Sequence, residues 1–393
     1  MNSTGLLENA LGRFRQPALV VGGLGLAACL LAGLTSDRAS ALHSYLFAFV
    51  FWTGVGLGGM AILMLHHMVG GTWGFALRRP LEAAARNIRW MALFAIPLGV
   101  FYFPYLDRLM SEGADGQALA PFKRVYLNPT FFAARTVVYF AAWVTLAAFL
   151  EKWSADEDRT GSPEYIRRLQ NLSGPGLVIY GLTVTYASVV WIMSLEPTWF
   201  STIYGMIIMV TQALAAMAVV TVTVALLHDR KPLTKILSPL LFNDFGNLLF
   251  TFTMLWAYLS FSQYLIIWSG NLPDETQWYR SRASGGWALV AVLLIVFHFA
   301  VPFVLLLMRF IKRRARVLAA VAAGLMVMSA VDIYWLTVPA FASDRSGPSF
   351  HWTDGAAWLG IGGVWLWGFI TYLNRQPLVP LHDPRFRGLV LND

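Results

Sequence analysis

The sequence predicts an all-α, polytopic membrane protein with ten transmembrane helices. The first observation is composition: 57% of the 393 residues are hydrophobic and only 13% are charged, whereas soluble domains carry about 25% charged residues. The second is a mean hydropathy of +0.58. The third is that apolar runs of about 20 residues recur along the chain, the length that a helix needs to cross a bilayer. A membrane β-barrel would show shorter, alternating segments of about 10 residues.

The ten predicted spans follow these apolar runs in order. They are Ala18–Leu34, Ser44–Met68, Trp90–Leu109, Phe131–Leu150, Gly176–Leu195, Thr202–Leu227, Asn243–Ser269, Trp287–Phe310, Val317–Val338 and Gly355–Leu373. Residues 1–393 are therefore expected to form a single integral membrane domain. The first run is interpreted as a retained helix, because no signal-peptide cleavage pattern follows it.

Basic residues predict the orientation of these spans. Most of the 29 Lys and Arg residues fall on the side of both termini, and cytoplasmic loops carry such an excess. Both termini are therefore predicted to be cytoplasmic. This bias also explains the net charge of +8, so no nucleic-acid partner is expected. The predicted exterior loops are Asp107–Thr130, Asp274–Gly286 and Pro339–Asp354, and the longest interior connection is Glu151–Pro175, with an amphipathic helix around Pro163–Leu172.

Metal chemistry has little support in the sequence. Cys29 is the single cysteine and lies in an apolar run, and one thiol cannot build an iron–sulfur cluster. His66 and His67 point about 100° apart on a helix, so both cannot ligate one haem. His66 is instead a candidate for the mouth of a proton path, because histidine titrates near neutral pH. The alternative is an interfacial histidine bonded to backbone.

Two segments near these histidines are interpreted structurally. Phe51–Gly59 is rich in glycine and lies within span two, and the four-residue spacing of Gly54 and Gly58 predicts close helix packing. Gly70–Ala84 is predicted to be a structured interfacial loop with a short helix that begins at Pro80. Phe51–Gly59 is therefore not expected to bind a phosphate.

Polar side chains inside the spans are the candidate functional residues, because a charge at the bilayer centre costs about 2.5–3.5 kcal/mol on the insertion scale. Asp332 in span nine is the strongest candidate. The others are His298, Gln263, Tyr264, Asp244, His66, Tyr258 and Tyr334. Five of these are expected at graded depths, which suits a proton relay or a quinol site with proton exits; they are Asp244, His298, Tyr258, Gln263 and Asp332. The alternative is a set of unrelated polar groups, each satisfied locally.

Span seven ends in Ser-Gln-Tyr-Leu-Ile-Ile-Trp, followed by Gly-Asn-Leu-Pro-Asp-Glu-Thr. This stretch, Phe261–Thr276, together with the Trp73–Glu82 segment and the ten spans, resembles the membrane subunits of the NrfD/polysulfide-reductase type. In particular it looks like the second such subunit of the bacterial alternative complex III, a quinol:electron-acceptor (cytochrome c) oxidoreductase. The resemblance covers nearly the whole chain.

The resemblance implies two four-helix bundles plus flanking helices, in the bacterial inner membrane. It implies no covalently bound cofactor on this chain, with quinone or quinol as the candidate ligand near the outer face. The implied partners are a paralogous membrane subunit of the same type, multihaem and monohaem cytochrome c subunits that carry haem c, an iron–sulfur subunit and a terminal oxidase. The paralogue is the better candidate for quinol oxidation. This chain is then expected to conduct or couple protons and to anchor the outer redox subunits.

Two other functions fit the same sequence. One is a secondary transporter of an ion or small solute, since such folds have interrupted helices and internal repeats. Pro97, Pro104 and Pro302 interrupt predicted spans, although no internal symmetry is evident. The other is a scaffold without chemistry of its own.

Overall fold

The structure is a computed structural model, and it describes residues 11–35, 38–99, 126, 128–196, 198–230, 233–341, 350–375 and 377–379. Helices make up 89% of these residues, and no strand occurs among them. Nine helices in this part of the chain are long and apolar enough to cross a membrane. The protein is therefore an all-helical, multi-pass membrane protein.

We number the main helices in chain order. They are α1 Gly12–Leu34, α2 Arg38–Val69, α3 Thr72–Arg86, α4 88–99, α5 Pro129–Thr160, α6 Pro163–Trp191, α7 Tyr204–Leu226, α8 Pro239–Gly270, α9 Pro273–Arg282, α10 Gly285–Leu307, α11 Arg309–Lys312, α12 Ala315–Thr337 and α13 Trp352–Leu373. Short 3-10 turns occur at Met193–Leu195, Leu233–Lys235 and Val338–Phe341.

Nine of the ten predicted spans correspond to membrane-length helices. The third predicted span, Trp90–Leu109, is helical over 88–99, and the rest of it lies outside the described residues. Most of the predicted exterior loop Asp107–Thr130 lies outside them as well.

Several helices begin with a polar residue followed by proline. The side chain of Asn128 accepts a hydrogen bond from the Thr130 amide before α5, and that of Ser162 accepts one from the Glu164 amide before α6. The same pattern at Ser238 starts α8. Proline suits the first helical position because its missing N–H would have no partner there, and the polar side chain satisfies an amide that the helix leaves open.

The prediction of a long interior connection at Glu151–Pro175 is wrong. α5 continues to Thr160 and α6 begins at Pro163, so only Gly161 and Ser162 join them. Gly161 ends α5 with a φ of 65°, in the left-handed region that glycine adopts without strain. The predicted amphipathic helix is the first part of α6. The charged end of α5 stays helical because it pairs with α3.

The predicted exterior loop Asp274–Gly286 is also mostly a helix. α9 begins at Pro273 and carries Asp274 and Glu275 in its first turn and Arg280 and Arg282 in its last turn. Acidic residues at the start and basic residues at the end match the helix dipole. The polarity that indicated a loop is therefore the polarity of a short helix.

The predicted loop Gly70–Ala84 is a third correction. It forms α3, in which every residue from Gly74 to Arg86 is buried. Pro80 lies in its interior and does not begin it. The charged side chains of this helix made a loop the natural expectation, because burial of a charge requires a partner. That partner comes from α5, about 75 residues later in the chain.

α2 lies at the centre of the molecule, with 94% of its most apolar window buried. Its glycines let other helices approach closely. A Cβ at Gly58 would lie 2.1 Å from the Gln212 carbonyl oxygen of α7, and one at Gly54 would lie 2.9 Å from the Gln212 side chain. The predicted packing role of Gly54 and Gly58 is confirmed.

α7 joins two groups of helices. It contacts α2, α3 and α6 on one side and α8 and α12 on the other, and α10 packs against α8 and α12. α1 lies at the edge and packs mainly on α13, where a Cβ at Gly25 would come within 2.6 Å of the Ala356 carbonyl oxygen. The strongest predicted site residue lies on α12, where it faces α7.

Candidate functional site

Asp332 lies on α12 and is 2% exposed. Its Oδ2 accepts hydrogen bonds from Thr211 Oγ1 at 2.9 Å and from Trp256 Nε1 at 3.0 Å. Within the described part of the chain, no basic side chain forms an ion pair with it and no group bonds to Oδ1. Thr211 is seven residues from the start of α7, so the carboxylate lies about 10 Å along the axis from the N-terminal end of that helix.

His298 completes this site from α10. It is fully buried, and its ring centroid lies 4.2 Å from that of Trp256. Its Nε2 lies 3.3 Å from Ser329 Oγ, and its Nδ1 has no hydrogen-bond partner among the described residues. Ser329 and Asp332 are one turn apart on α12. We call the set Thr211, Trp256, His298, Ser329 and Asp332 the Asp332 cluster.

The backbone around His298 departs from a regular α-helix. Leu294–Ala300 forms a π-helical turn within α10. Such turns are rare and occur often at functional sites. The wider turn rotates His298 relative to the residues before it, and His298 and Leu294 are the buried residues of this turn.

An ion pair lies at the end of α12, just beyond the Asp332 cluster. Arg282 of α9 binds Glu196 through both nitrogens, at 3.1 and 2.8 Å. It also donates to the carbonyl oxygens of Trp335 and Leu336, three and four residues beyond Asp332. The Arg282 side chain is fully buried. Glu196 therefore pairs with Arg282, and the end of α12 is fastened to α9.

The remaining candidates of span seven do not join the cluster. Gln263 is buried, accepts from Ser201 and donates to Tyr279. Its neighbour Tyr264 is 44% exposed and Tyr258 is 66% exposed. Asp244 is partly exposed near the start of α8. It forms no hydrogen bond or ion pair through its side chain with the described residues. The expected five-residue ladder is therefore not continuous: only Asp332 and His298 come together.

Tyr334 belongs to a second buried group around Asp354. The Tyr334 hydroxyl donates to Asp354 Oδ2 at 3.2 Å, and Ser44 Oγ donates to Oδ1 at 2.5 Å. Asp354 is 1% exposed and, with His351, forms a capping box at the start of α13. Sequence reasoning missed this carboxylate. The signal for it was an acidic residue three positions after a polar residue, just before an apolar run.

His66 lies away from both groups. It is 1% exposed, and its ring packs against Trp73 at 5.1 Å and Phe75 at 5.7 Å. A Cβ at Gly74 would lie 1.8 Å from His66 Nδ1, so only glycine fits there. His67 approaches Ser173 Oγ at 3.3 Å. A role for His66 at the mouth of a proton path stays a prediction.

A dense set of charges joins α3 to the end of α5. Arg78 binds Glu82 and Glu157, and Arg79 binds Glu82 and Asp158. We call Arg78, Arg79, Glu82, Glu157 and Asp158 the α3–α5 ion-pair network. Burial by itself raises the pKa of Glu82, but the charges of Arg79 and Arg78 and a hydrogen bond from the Ser154 hydroxyl outweigh it and lower that pKa to about 2.

Metal and quinone chemistry have different support. Among the described residues, no group of three or more His, Cys, Asp or Glu side chains could hold a metal ion. A quinone headgroup needs hydrogen-bond partners: the Gln263 amide is already engaged at both ends, whereas the partly exposed Tyr264 remains accessible. The residues near the C-terminal end of α8 therefore fit a quinone only in part.

Comparison with known proteins does not assign the chain to a family. No family model matches the chain, and a search of curated proteins gives no match.

Proposed function

We propose that this chain is a membrane subunit of a respiratory quinol:electron-acceptor oxidoreductase of the alternative complex III type, located in a bacterial inner membrane. Its role is to conduct or couple protons and to anchor redox subunits on the outer face. In this proposal the third predicted span completes ten transmembrane helices, arranged as two four-helix bundles with α1 and α13 at the flank. Haem c and iron–sulfur clusters belong to the partner subunits.

The Asp332 cluster is the observation that carries this proposal. Quinol oxidation releases two electrons and two protons; the electrons go to the redox groups of the partners, and the protons need acceptors. His298 Nδ1 is a buried atom without a hydrogen-bond partner among the described residues, and the hydrogen bonds that Asp332 accepts from Thr211 and Trp256 both go to Oδ2. Asp332 and His298 can each bind and release a proton, and Trp256 contacts both residues. An uncompensated carboxylate at this depth is costly and is typically functional.

Substitution of Asp332 tests the proposal. The variant Asp332→Asn keeps an oxygen that can accept from Thr211 and Trp256 but cannot take up a proton as a carboxylate. We expect the complex to assemble with a normal haem spectrum and a normal set of subunits. We expect quinol-dependent proton release in proteoliposomes to fall about a hundredfold, the usual contribution of an acid–base group.

Asp244→Asn is the matched control. It makes the same chemical change on a membrane helix, at a partly exposed carboxylate outside the cluster. We expect near-normal proton release from it. Equal release from the two variants would remove Asp332 from the proposal. Purification of the chain without any cytochrome, together with solute uptake by the isolated chain, would contradict the respiratory assignment and favour a secondary transporter.

A further inference from the structure

A charged cavity of about 410 Å³ opens on the face opposite the Asp332 cluster, where α3 and α13 end and α5 passes. Its lining contains four basic residues, Arg86, Arg89, Lys152 and Arg375, and one carboxylate, Glu151. The cavity therefore carries an excess of positive charge. All four basic residues belong to the side that the positive-inside rule assigns to the cytoplasm.

Arg86 is the buried member of this lining, at 5% exposed. One of its terminal nitrogens lies 2.9 Å from Glu151 Oε1, while Arg89 binds the other oxygen of Glu151 at 2.7 Å. The Nε of Arg86 has no hydrogen-bond partner among the described residues. A buried donor without an acceptor costs about 1–3 kcal/mol. Glu151 thus pairs with two guanidinium groups at once. The described lining contains no second carboxylate for the remaining positive charges.

One aromatic ring orients two of these cations. The guanidinium carbons of Arg86 and Arg375 each lie 5.5 Å from the centroid of the Tyr372 ring. A cation over an aromatic face is held by electrostatic attraction to the ring. Tyr372 therefore keeps two guanidinium groups, from α3 and from the residues after α13, at one side of the cavity.

The cavity continues into an apolar surface. Arg89 lies in the first turn of α4. Leu93 and Ile96 lie on the same face of this helix and are 54% and 61% exposed. On α5, Phe149 is 42% exposed next to Ala148 of the cavity lining. A soluble anion would use only the charged part. An amphiphile with an anionic head and apolar chains would use both parts.

We propose that this cavity binds the phosphate of an anionic phospholipid from the cytoplasmic leaflet, with its acyl chains along Leu93 and Ile96. Guanidinium groups match phosphate oxygens in pairs, and basic pockets between transmembrane helices on the cytoplasmic side take such headgroups. The inference depends on the membrane character of the chain and is independent of the proposed respiratory function.

Lipid retention tests the assignment. The protein, with any subunits that copurify, is placed in nanodiscs that contain phosphatidylglycerol or cardiolipin in phosphatidylcholine, and bound lipid is counted by native mass spectrometry. We expect the unmodified protein to retain anionic lipid in preference to phosphatidylcholine. The double variant Lys152→Gln/Arg375→Gln should weaken this retention about thirtyfold, since each surface cation contributes about 1 kcal/mol to lipid binding.

The double variant Arg159→Gln/Arg168→Gln removes the same charge from the same side. Both arginines are exposed and pair with acidic residues within their own helices, so retention should be unchanged. Equal losses from the two double variants, or equal retention of anionic and neutral lipid, would overturn the proposal. Inorganic phosphate that raises the melting temperature in lipid-free detergent, with no preference for anionic lipid, would assign the cavity to a soluble phosphate compound instead.

Discussion

The α3–α5 ion-pair network and the Asp332 cluster bury polar groups in opposite ways. In the network, each carboxylate of Glu82, Glu157 and Asp158 contacts a guanidinium of Arg78 or Arg79. In the cluster, the described residues offer Asp332 only neutral donors. Compensated charges hold a structure in one state. A carboxylate among neutral donors can exist with or without a proton, which is what proton transfer needs.

This comparison predicts that the network is the more sensitive region for stability. Arg78→Leu removes a fully buried guanidinium and leaves Glu157 without this partner. We expect a loss of about 3–5 kcal/mol in the free energy of unfolding, measured as a lower melting temperature in detergent by tryptophan fluorescence. Arg159→Leu, at a 76% exposed ion pair, should change it by less than about 1 kcal/mol. Similar melting temperatures for both variants would refute the distinction.

Acid should weaken the network. The pKa of Glu82 falls from its ordinary 4.5 to about 2 in the folded protein, so its contribution to stability is complete above about pH 4.5 and disappears as the pH falls toward 2. Glu82→Gln should be less stable at neutral pH and should lose less stability across that window. Melting temperatures from pH 6 to 2 measure this. Parallel curves for the two proteins would contradict it.

The same substitution in the two regions should have different effects. Asp158→Asn removes the charge that pairs with Arg79, and we expect a loss of about 1–3 kcal/mol in stability. Asp332→Asn removes a buried charge that has no described basic partner, so the melting temperature should stay the same or rise. A larger loss in Asp332→Asn than in Asp158→Asn would mean that Asp332 is a structural charge.

Trp256→Phe is the mildest probe of the cluster. It removes the indole N–H that donates to Asp332 and keeps an aromatic ring beside His298. We expect a cost of about 1 kcal/mol in stability and a partial loss of proton release. Trp268→Phe, at a position of the same helix that is 64% exposed, should change neither quantity. A wild-type rate of proton release in Trp256→Phe would show that the indole hydrogen bond does not matter.

The site could be predicted only in part. A sequence indicates how far along a helix a residue lies, but it indicates less well which way the side chain faces. Gln263 and Tyr264 are adjacent, yet one is 3% and the other 44% exposed. Asp332 and His298 were both expected to matter, and the structure brings them together. Nothing in the sequence indicated that Trp256 would join them. Contacts between α8, α10 and α12 decide which residues face inward.

Hydropathy acts within one helix, so the sequence alone determined the membrane class and the nine membrane-length helices of the described part of the chain. The cap and proline at Ser238–Pro239 are local signals too, although hydropathy placed the start of that helix at Asn243. The tertiary structure decided what α3 and the end of α5 became. Their charges indicate loops when each segment is considered alone, because an unpaired buried charge is unstable. Both segments are helical because Arg78 pairs with Glu157, and only the folded chain brings those two residues into contact.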